Sequence, residues 1–361
     1  MANEPSIPYD NLPGLPPSAD VESKAVLKQC LAATRALAEL KGVGGLIPDQ
    51  TILINAIPLQ EARLSSEIEN IVTTQDELFR AAMDESKVTD PATKEVLRYR
   101  TALRRGSDLL KSDGLSIRMI LEVCRVLRGM PALEFRSADE QVCIGSRTTG
   151  EIHYTPPRGG SVLLAKLRNL EAFLASSDDL DPLVRMALAH YQFEAIHPFT
   201  DGNGRTGRIL NILLLLHAGL LDIPVLYLSR FIVRNKPVYY RLLRRVTEDG
   251  DWESWLIYML NGVEETAQLT TGRIRAIAEL HSETIARCRR ELPRVYTREL
   301  IDLIFRRPYC KTAFVVDAGL AERKTASEYL RELERIGVLE GKKIGREVVY
   351  RHPALLDALK A

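Results

Sequence analysis

His197-Pro198-Phe199-Thr200-Asp201-Gly202-Asn203-Gly204-Arg205-Thr206-Gly207-Arg208 is the stretch from which the rest of this 361-residue chain is read. Its centre is small and turn-prone, and an apolar-periodic segment, residues 209–221, follows directly. A loop running into a helix leaves free backbone N–H groups at the helix N-terminus, where an anion is favoured. Glycines let the backbone turn with positive φ and come close to a ligand, as an anion-binding nest requires. Arg205 and Arg208 are three apart, so on a helix they share a face and reach the same polyanion. Asp201 would repel phosphate unless a divalent cation lay between them, which points to Mg²⁺, a hard ion that prefers carboxylate and phosphate oxygens. His197 beside the loop is a base able to work near neutral pH. Together these residues describe a nucleotide phosphate cradle with one metal and one base.

Composition sets the surroundings. The chain is 45 % hydrophobic, ample for a buried core, and its length suggests two or three domains. A net charge of +1 gives no global field toward nucleic acid or membrane. The five cysteines are scattered and form no C-x-x-C pair, which reads as free thiols in a reducing compartment without a zinc site. The N-terminus lacks the basic-then-apolar order of a signal peptide, and the most apolar run is too short to span a bilayer. A soluble cytoplasmic protein with no membrane contact is the expectation.

Along the chain, prolines at 5, 8, 13, 16 and 17 predict an extended arm laid over the surface. Helical patterns follow over residues 21–40, 49–56 and 59–71, with Pro58 dividing the last two. Residues 94–110 and 116–127 read as further helices. Alternation around the turn Thr148-Thr149-Gly150 predicts a β-hairpin within residues 134–157. Asp181-Pro182 starts a helix that Pro198 stops at His197; Phe199 anchors the loop in the core, and His190 is structural. Residues 251–291 form a long helical stretch. Beyond it the order is helix, turn, helix and a β-wing made by residues 338–340 and 345–351, which resembles winged-helix domains. Residues 321–336 balance four basic against four acidic side chains, so this unit favours protein contact over DNA; Lys342, Lys343 and Arg346 keep DNA as a weaker alternative.

The 197–208 stretch fills every specified position of H-P-F-x-D/E-G-N-G-R-x-x-R and so resembles the motif of Fic proteins. A second stretch, Ser65-Ser66-Glu67-Ile68-Glu69-Asn70, is similar to the S/T-x-x-x-E-G/N inhibitory motif of Fic proteins whose regulatory helix precedes the core. A carboxylate presented there can pair with an arginine of the cradle. The expectation is that Glu69 grips Arg208 bidentately and takes the place of an ATP γ-phosphate.

The resemblance implies a mainly α fold: a Fic-type helical core with a β-hairpin flap, and a small C-terminal winged-helix-like domain. The segments expected are 1–94 (arm and inhibitory region), 95–292 (catalytic core) and 293–361 (C-terminal domain). It implies transfer of AMP from ATP to a Ser, Thr or Tyr hydroxyl of a target protein, or of the enzyme itself, with release of pyrophosphate. His197 would be the general base. Gly202, Asn203, Gly204, Arg205, Thr206, Gly207 and Arg208 would bind the nucleotide, Arg205 at the β- and Arg208 at the γ-phosphate. Asp201 would hold Mg²⁺, with Mn²⁺ as substitute, and Tyr240 would contact the nucleotide. Ser65 and Glu69 would be inhibitory, and the hairpin would clamp a target segment as an added strand. A homodimer is a family habit only.

Two alternatives stay open. One is a Fic enzyme that removes AMP or transfers another phosphate-linked group, since the cradle is the same for each. The other is a DNA-binding regulator whose core senses nucleotide; an intact His197 argues against it, because sensing needs no base.

Overall fold

The computed structural model describes residues 4–47, 49–83, 88–145, 149–176, 179–226, 228–344 and 347–360. Thr148 of the expected hairpin turn, Tyr227, and Gly345 and Arg346 of the expected wing lie outside the described residues. The arm leads into helices α1 (Lys24–Val43), α2 (Thr51–Ile68), α3 (Gln75–Ala81), α4 (Pro91–Asp113) and α5 (Ile117–Arg128). A hairpin of β1 (Ile144–Gly145) and β2 (Ile152–Tyr154) separates these from α6 (Ser161–Ala175), α7 (Pro182–Ile196), α8 (Asn203–His217), α9 (Leu228–Arg234), α10 (Lys236–Asp249) and α11 (Trp252–Glu291). The C-terminal unit contains α12 (Arg298–Arg306), β3 (Tyr309–Lys311), α13 (Thr312–Asp317), α14 (Arg323–Arg335), β4 (Glu340–Ile344), β5 (Glu347–Arg351) and α15 (Pro353–Lys360). The fold is mainly α, as expected. No helix among the described residues is long and apolar enough to cross a membrane.

The core is built around α7 and α8, which are buried on nearly every face. Asp181 caps α7, accepting from the Leu183 amide at 2.8 Å, with Pro182 in the first turn where its missing N–H costs nothing. Trp255 of α11 is fully buried, donates its indole N–H to Ala187 O at 2.9 Å and stacks on His190. His190 in turn bonds the Tyr239 hydroxyl at 2.9 Å and Asn211 at 3.2 Å, a satisfied core histidine. The proline-rich arm crosses α6 and the base of the hairpin: Leu12 and Leu15 are buried, Asn169 accepts from the Leu15 amide, and the Tyr9 amide donates to Thr155 O.

Pro58 does not divide two helices. α2 runs unbroken from Thr51 to Ile68 with Pro58 inside it. A proline within a helix costs about 3 kcal/mol. Here α2 packs against α4, α9 and α12, and its buried surface, including Ile57, Leu59 and Ala62, offsets that cost. Six elements went unanticipated: α3, α6, α9, α10, the short strand β3 and the terminal helix α15. β3 makes the C-terminal sheet three-stranded and antiparallel in the order β3-β5-β4, with Cys310 opposite Tyr350 and Lys342 opposite Val349.

Candidate active site

The two halves of the site come from the α7–α8 connection and from the C-terminal end of α2. His197 is the C-cap of α7, in the left-handed region at φ 49. That conformation is unfavourable for a residue with a side chain, so its neighbours must hold it. Arg136, 2 % exposed, does so: its Nε donates to His197 O at 2.9 Å, and its other nitrogens reach Ile196 O, Pro157 O and Glu140 O. The same guanidinium therefore ties the α7–α8 loop to the base of the hairpin. His197 Nδ1 lies 3.3 Å from Glu194 O, which assigns the proton to Nδ1 and leaves Nε2 as the acceptor. Burial pushes the imidazole down to about 4, so it is neutral at physiological pH. Phe199 is fully buried and stacks on Phe135.

The loop then turns at Gly202, whose φ of +89 requires glycine. Asn203 locks it: its side chain accepts from Phe199 N at 2.9 Å and donates to Phe199 O at 2.7 Å. The first helical bond of α8 is Thr206 N to Gly202 O at 3.0 Å, so the amides of residues 203–205 precede it and form the open N-terminus. Gly202, Asn203, Gly204, Arg205 and Arg208 all line one cleft of about 1100 Å³, together with His197, Asp201, Glu69 and Tyr240. Thr206 and Gly207 do not line it: Thr206 is buried, and Gly207 packs on Phe193 and Glu194. Both adjacent tyrosines line the cleft, Tyr239 from the core at 2 % exposure and Tyr240 at 45 %.

Glu69 is the C-cap of α2 rather than a residue within the helix. It does not grip Arg208 bidentately. One oxygen takes Arg208 Nη2 at 2.9 Å and the other takes Arg205 Nε at 2.7 Å, so a single carboxylate bridges both arginines. A Cβ on Gly204 would stand 2.6 Å from Glu69 Oε1, so the close approach needs glycine there. Ser65 completes the grip: its hydroxyl accepts from Arg208 Nε at 2.7 Å and its carbonyl from Nη2 at 2.9 Å. Burial opposes the charge on Arg208, but its acidic neighbours, Glu69 first, hold its pKa above the ordinary guanidinium value.

Further residues shape the site without having signalled themselves in the sequence. Glu95 of α4 accepts from Arg205 Nη1 at 2.5 Å and from Arg128 Nη1 at 3.3 Å. Arg128 of α5 also pairs with Asp201. Lys236 donates to Ile68 O at 2.6 Å, fixing the end of α2. Glu61, 1 % exposed, receives the Ser229 amide and hydroxyl and the Tyr99 hydroxyl, and burial raises it to about 7. Isolated charged residues on long helices carry no local pattern, so nothing in the sequence set them apart.

Asp201 could hold a divalent cation only with help. Among the described residues no three His, Cys, Asp or Glu side chains are grouped to bind a metal. Its side chain is 56 % exposed at the cleft and already attracts two positive charges, Arg128 on one oxygen and Arg205 Nη2 at 3.7 Å from the other. One carboxylate facing a phosphate-binding helix N-terminus fits an ion such as Mg²⁺, which completes its shell with phosphate and water.

Residues 27–108 match the Fic/DOC family N-terminal domain, residues 116–215 the Fic/DOC family domain, and residues 280–355 the C-terminal domain described as protein adenylyltransferase SoFic-like. Protein adenylyltransferase fic-1 of Caenorhabditis elegans is 30 % identical over 171 residues, 46 % of this chain and 31 % of that protein. Protein adenylyltransferase Fic of Drosophila yakuba is 34 % identical over 169 residues, 45 % of this chain and 31 % of that protein. The matched segment thus spans about a third of each curated relative. In three dimensions the chain is similar to a Fic family protein from Desulfovibrio desulfuricans, with a TM-score of 0.57 at 19 % identity over 91 % of this chain and 96 % of the other. It is also similar to Fic-1 of C. elegans, with a TM-score of 0.54 at 24 % identity over 69 % and 74 % of the two chains. At these identities the likeness speaks for the fold.

Proposed function

Since the chain belongs to the Fic/DOC family, we propose that it is a protein adenylyltransferase, moving AMP from ATP to a Ser, Thr or Tyr hydroxyl of a protein, and that Glu69 holds it in a resting state. The observation that carries this reading is the pairing of a neutral His197 with a phosphate cradle whose two arginines are both held by Glu69.

In this reading the amides of residues 203–205, Arg205 and Arg208 bind the triphosphate, the arginines at the β- and γ-phosphates. A divalent cation on Asp201, shared with the phosphates, would neutralise charge on the leaving group. His197 Nε2 takes the proton from the target hydroxyl as its oxygen attacks the α-phosphorus. The bond from the α-phosphorus to the bridging oxygen breaks, and pyrophosphate leaves with that electron pair. Arg136 holds the His197 backbone and Glu194 O engages Nδ1, which leaves Nε2 for the target hydroxyl. Glu69 opposes all of this by engaging both arginines and lying on Gly204, so a triphosphate has to displace it to seat productively.

The test uses ATP labelled separately at the α- and γ-phosphates, supplied with Mg²⁺ to the Glu69→Gly variant in cell lysate. Label reaching protein from the α-position alone is the expected result. Label from the γ-position would mean kinase-type chemistry and end this reading.

A further inference from the structure

In the cleft, ion pairs join three carboxylates and three guanidiniums: Glu69, Glu95 and Asp201 with Arg128, Arg205 and Arg208. Each arginine has a distinct position. Arg208 is 2 % exposed and anchored by Ser65 and Glu69, and Arg205 is 1 % exposed between Glu69 and Glu95, with its Nη2 also 3.7 Å from Asp201. Arg128 stands at the rim and reaches two carboxylates with the same nitrogen, Nη1: Asp201, and Glu95 at 3.3 Å. Its partner Asp201 is more than half exposed. Such a pair is weak and exchanges readily.

We propose that Arg128 is a resident counter-cation that occupies the divalent ion's place on Asp201 and moves to Glu95 when metal and nucleotide enter. This inference rests on the proposed nucleotide and metal reading of the cleft. The charge balance gives it direction. An incoming triphosphate draws Arg205 off Glu95, with which it now shares a 2.5 Å contact. Glu95 is then short of a positive charge just as a divalent ion arrives at Asp201 and repels Arg128. Arg128 need only shift between two carboxylates that its Nη1 already touches. Metal entry and Arg205 release are thereby coupled through one carboxylate, and Arg128 acts as a positioning residue that sets the metal concentration the enzyme needs. It has no contact with the reacting atoms in this account.

The test measures Mn²⁺ affinity directly, in full-length protein carrying Glu69→Gly and saturated with an ATP analogue that has a methylene group between the α- and β-phosphorus. Arg128→Gln removes the competing charge and is expected to tighten Mn²⁺ by about threefold or more, from the worth of an exposed pair. Glu95→Gln removes the place to which Arg128 withdraws and is expected to weaken Mn²⁺. In the Arg128→Gln background, Glu95→Gln should then have no further effect, because the hand-over needs both side chains. Additive effects of the two substitutions would mean a simple field effect, and failure of Arg128→Gln to tighten Mn²⁺ would mean no competition; either overturns the proposal. Asp201→Asn separates the two levels. If it leaves Mn²⁺ affinity unchanged, the metal reading itself fails; if it abolishes binding while Arg128→Gln is silent, only the role of Arg128 fails.

Discussion

In the proposed reaction His197 accepts a proton at neutral pH, and its surroundings decide where it can do so. Burial lowers it to about 4. A base works in its deprotonated form, so activity that depends on His197 is present above that value and is lost as the pH falls through it. For the Glu69→Gly variant, kcat/KM for ATP, which reports the free enzyme, should show no His197 limb on descending from neutral pH until the pH nears about 4. An exposed imidazole would begin to fail near about 6.5. Initial rates of transfer across that range check this, and a limb centred near the exposed value would refute it. Replacing the base, His197→Ala, should lower the rate by about 10²–10⁴-fold or more, with unchanged ATP affinity. At this scale the sequence was informative where residues were consecutive. Twelve adjacent positions carried the base, the cradle and both arginines. Arg136, which holds His197 in its strained conformation from sixty-one residues away, could not be recognised that way.

Among the elements, α2 matters most, because its end places Glu69 in the cradle. Glu61 fastens it: buried under Ser229 and Tyr99, it joins α2 to α9 and α4. Glu61→Ala would strand the Ser229 and Tyr99 groups and should cost about 1–3 kcal/mol, measured by urea unfolding. Local chemistry marked several elements well. Asp181-Pro182 at the start of α7 is a capping signal that holds in the structure, and Asp90-Pro91 is a second one, which starts α4 three residues before the expected 94. α6 was overlooked because it starts at Gly160, with no capping side chain, although Leu163, Leu167, Leu170 and Leu174 have helical spacing. Pro58 misled for the opposite reason. It is a strong local breaker overruled by packing against α4, α9 and α12, contacts that no window of sequence contains.

Across the whole molecule, the C-terminal unit bears on the N-terminal region around α2 and α3. Tyr309 pairs with Asp76 and stacks on Phe79, and Arg306 meets Asp49 at 3.1 Å. Tyr309→Ala should destabilise the protein by about 3 kcal/mol or more through lost aromatic burial. If this contact also steadies α2, the same substitution should raise transfer in the otherwise unchanged protein and add nothing to Glu69→Gly. Comparing the two backgrounds checks that. The charge set of the cleft belongs to this scale as well. Its members come from positions 69, 95, 128, 201, 205 and 208, and only folding brings them together. A transferase restrained by one carboxylate across two arginines should speed up when that carboxylate is removed. The rate of label transfer from α-labelled ATP to protein is compared for the unaltered chain, Glu69→Gly, and Glu69→Gly combined with His197→Ala. Losing Glu69 should raise it by about tenfold or more, from the worth of charge-assisted hydrogen bonds, and losing His197 as well should abolish the rise. Equal rates with and without Glu69, or transfer that survives the loss of His197, would contradict it.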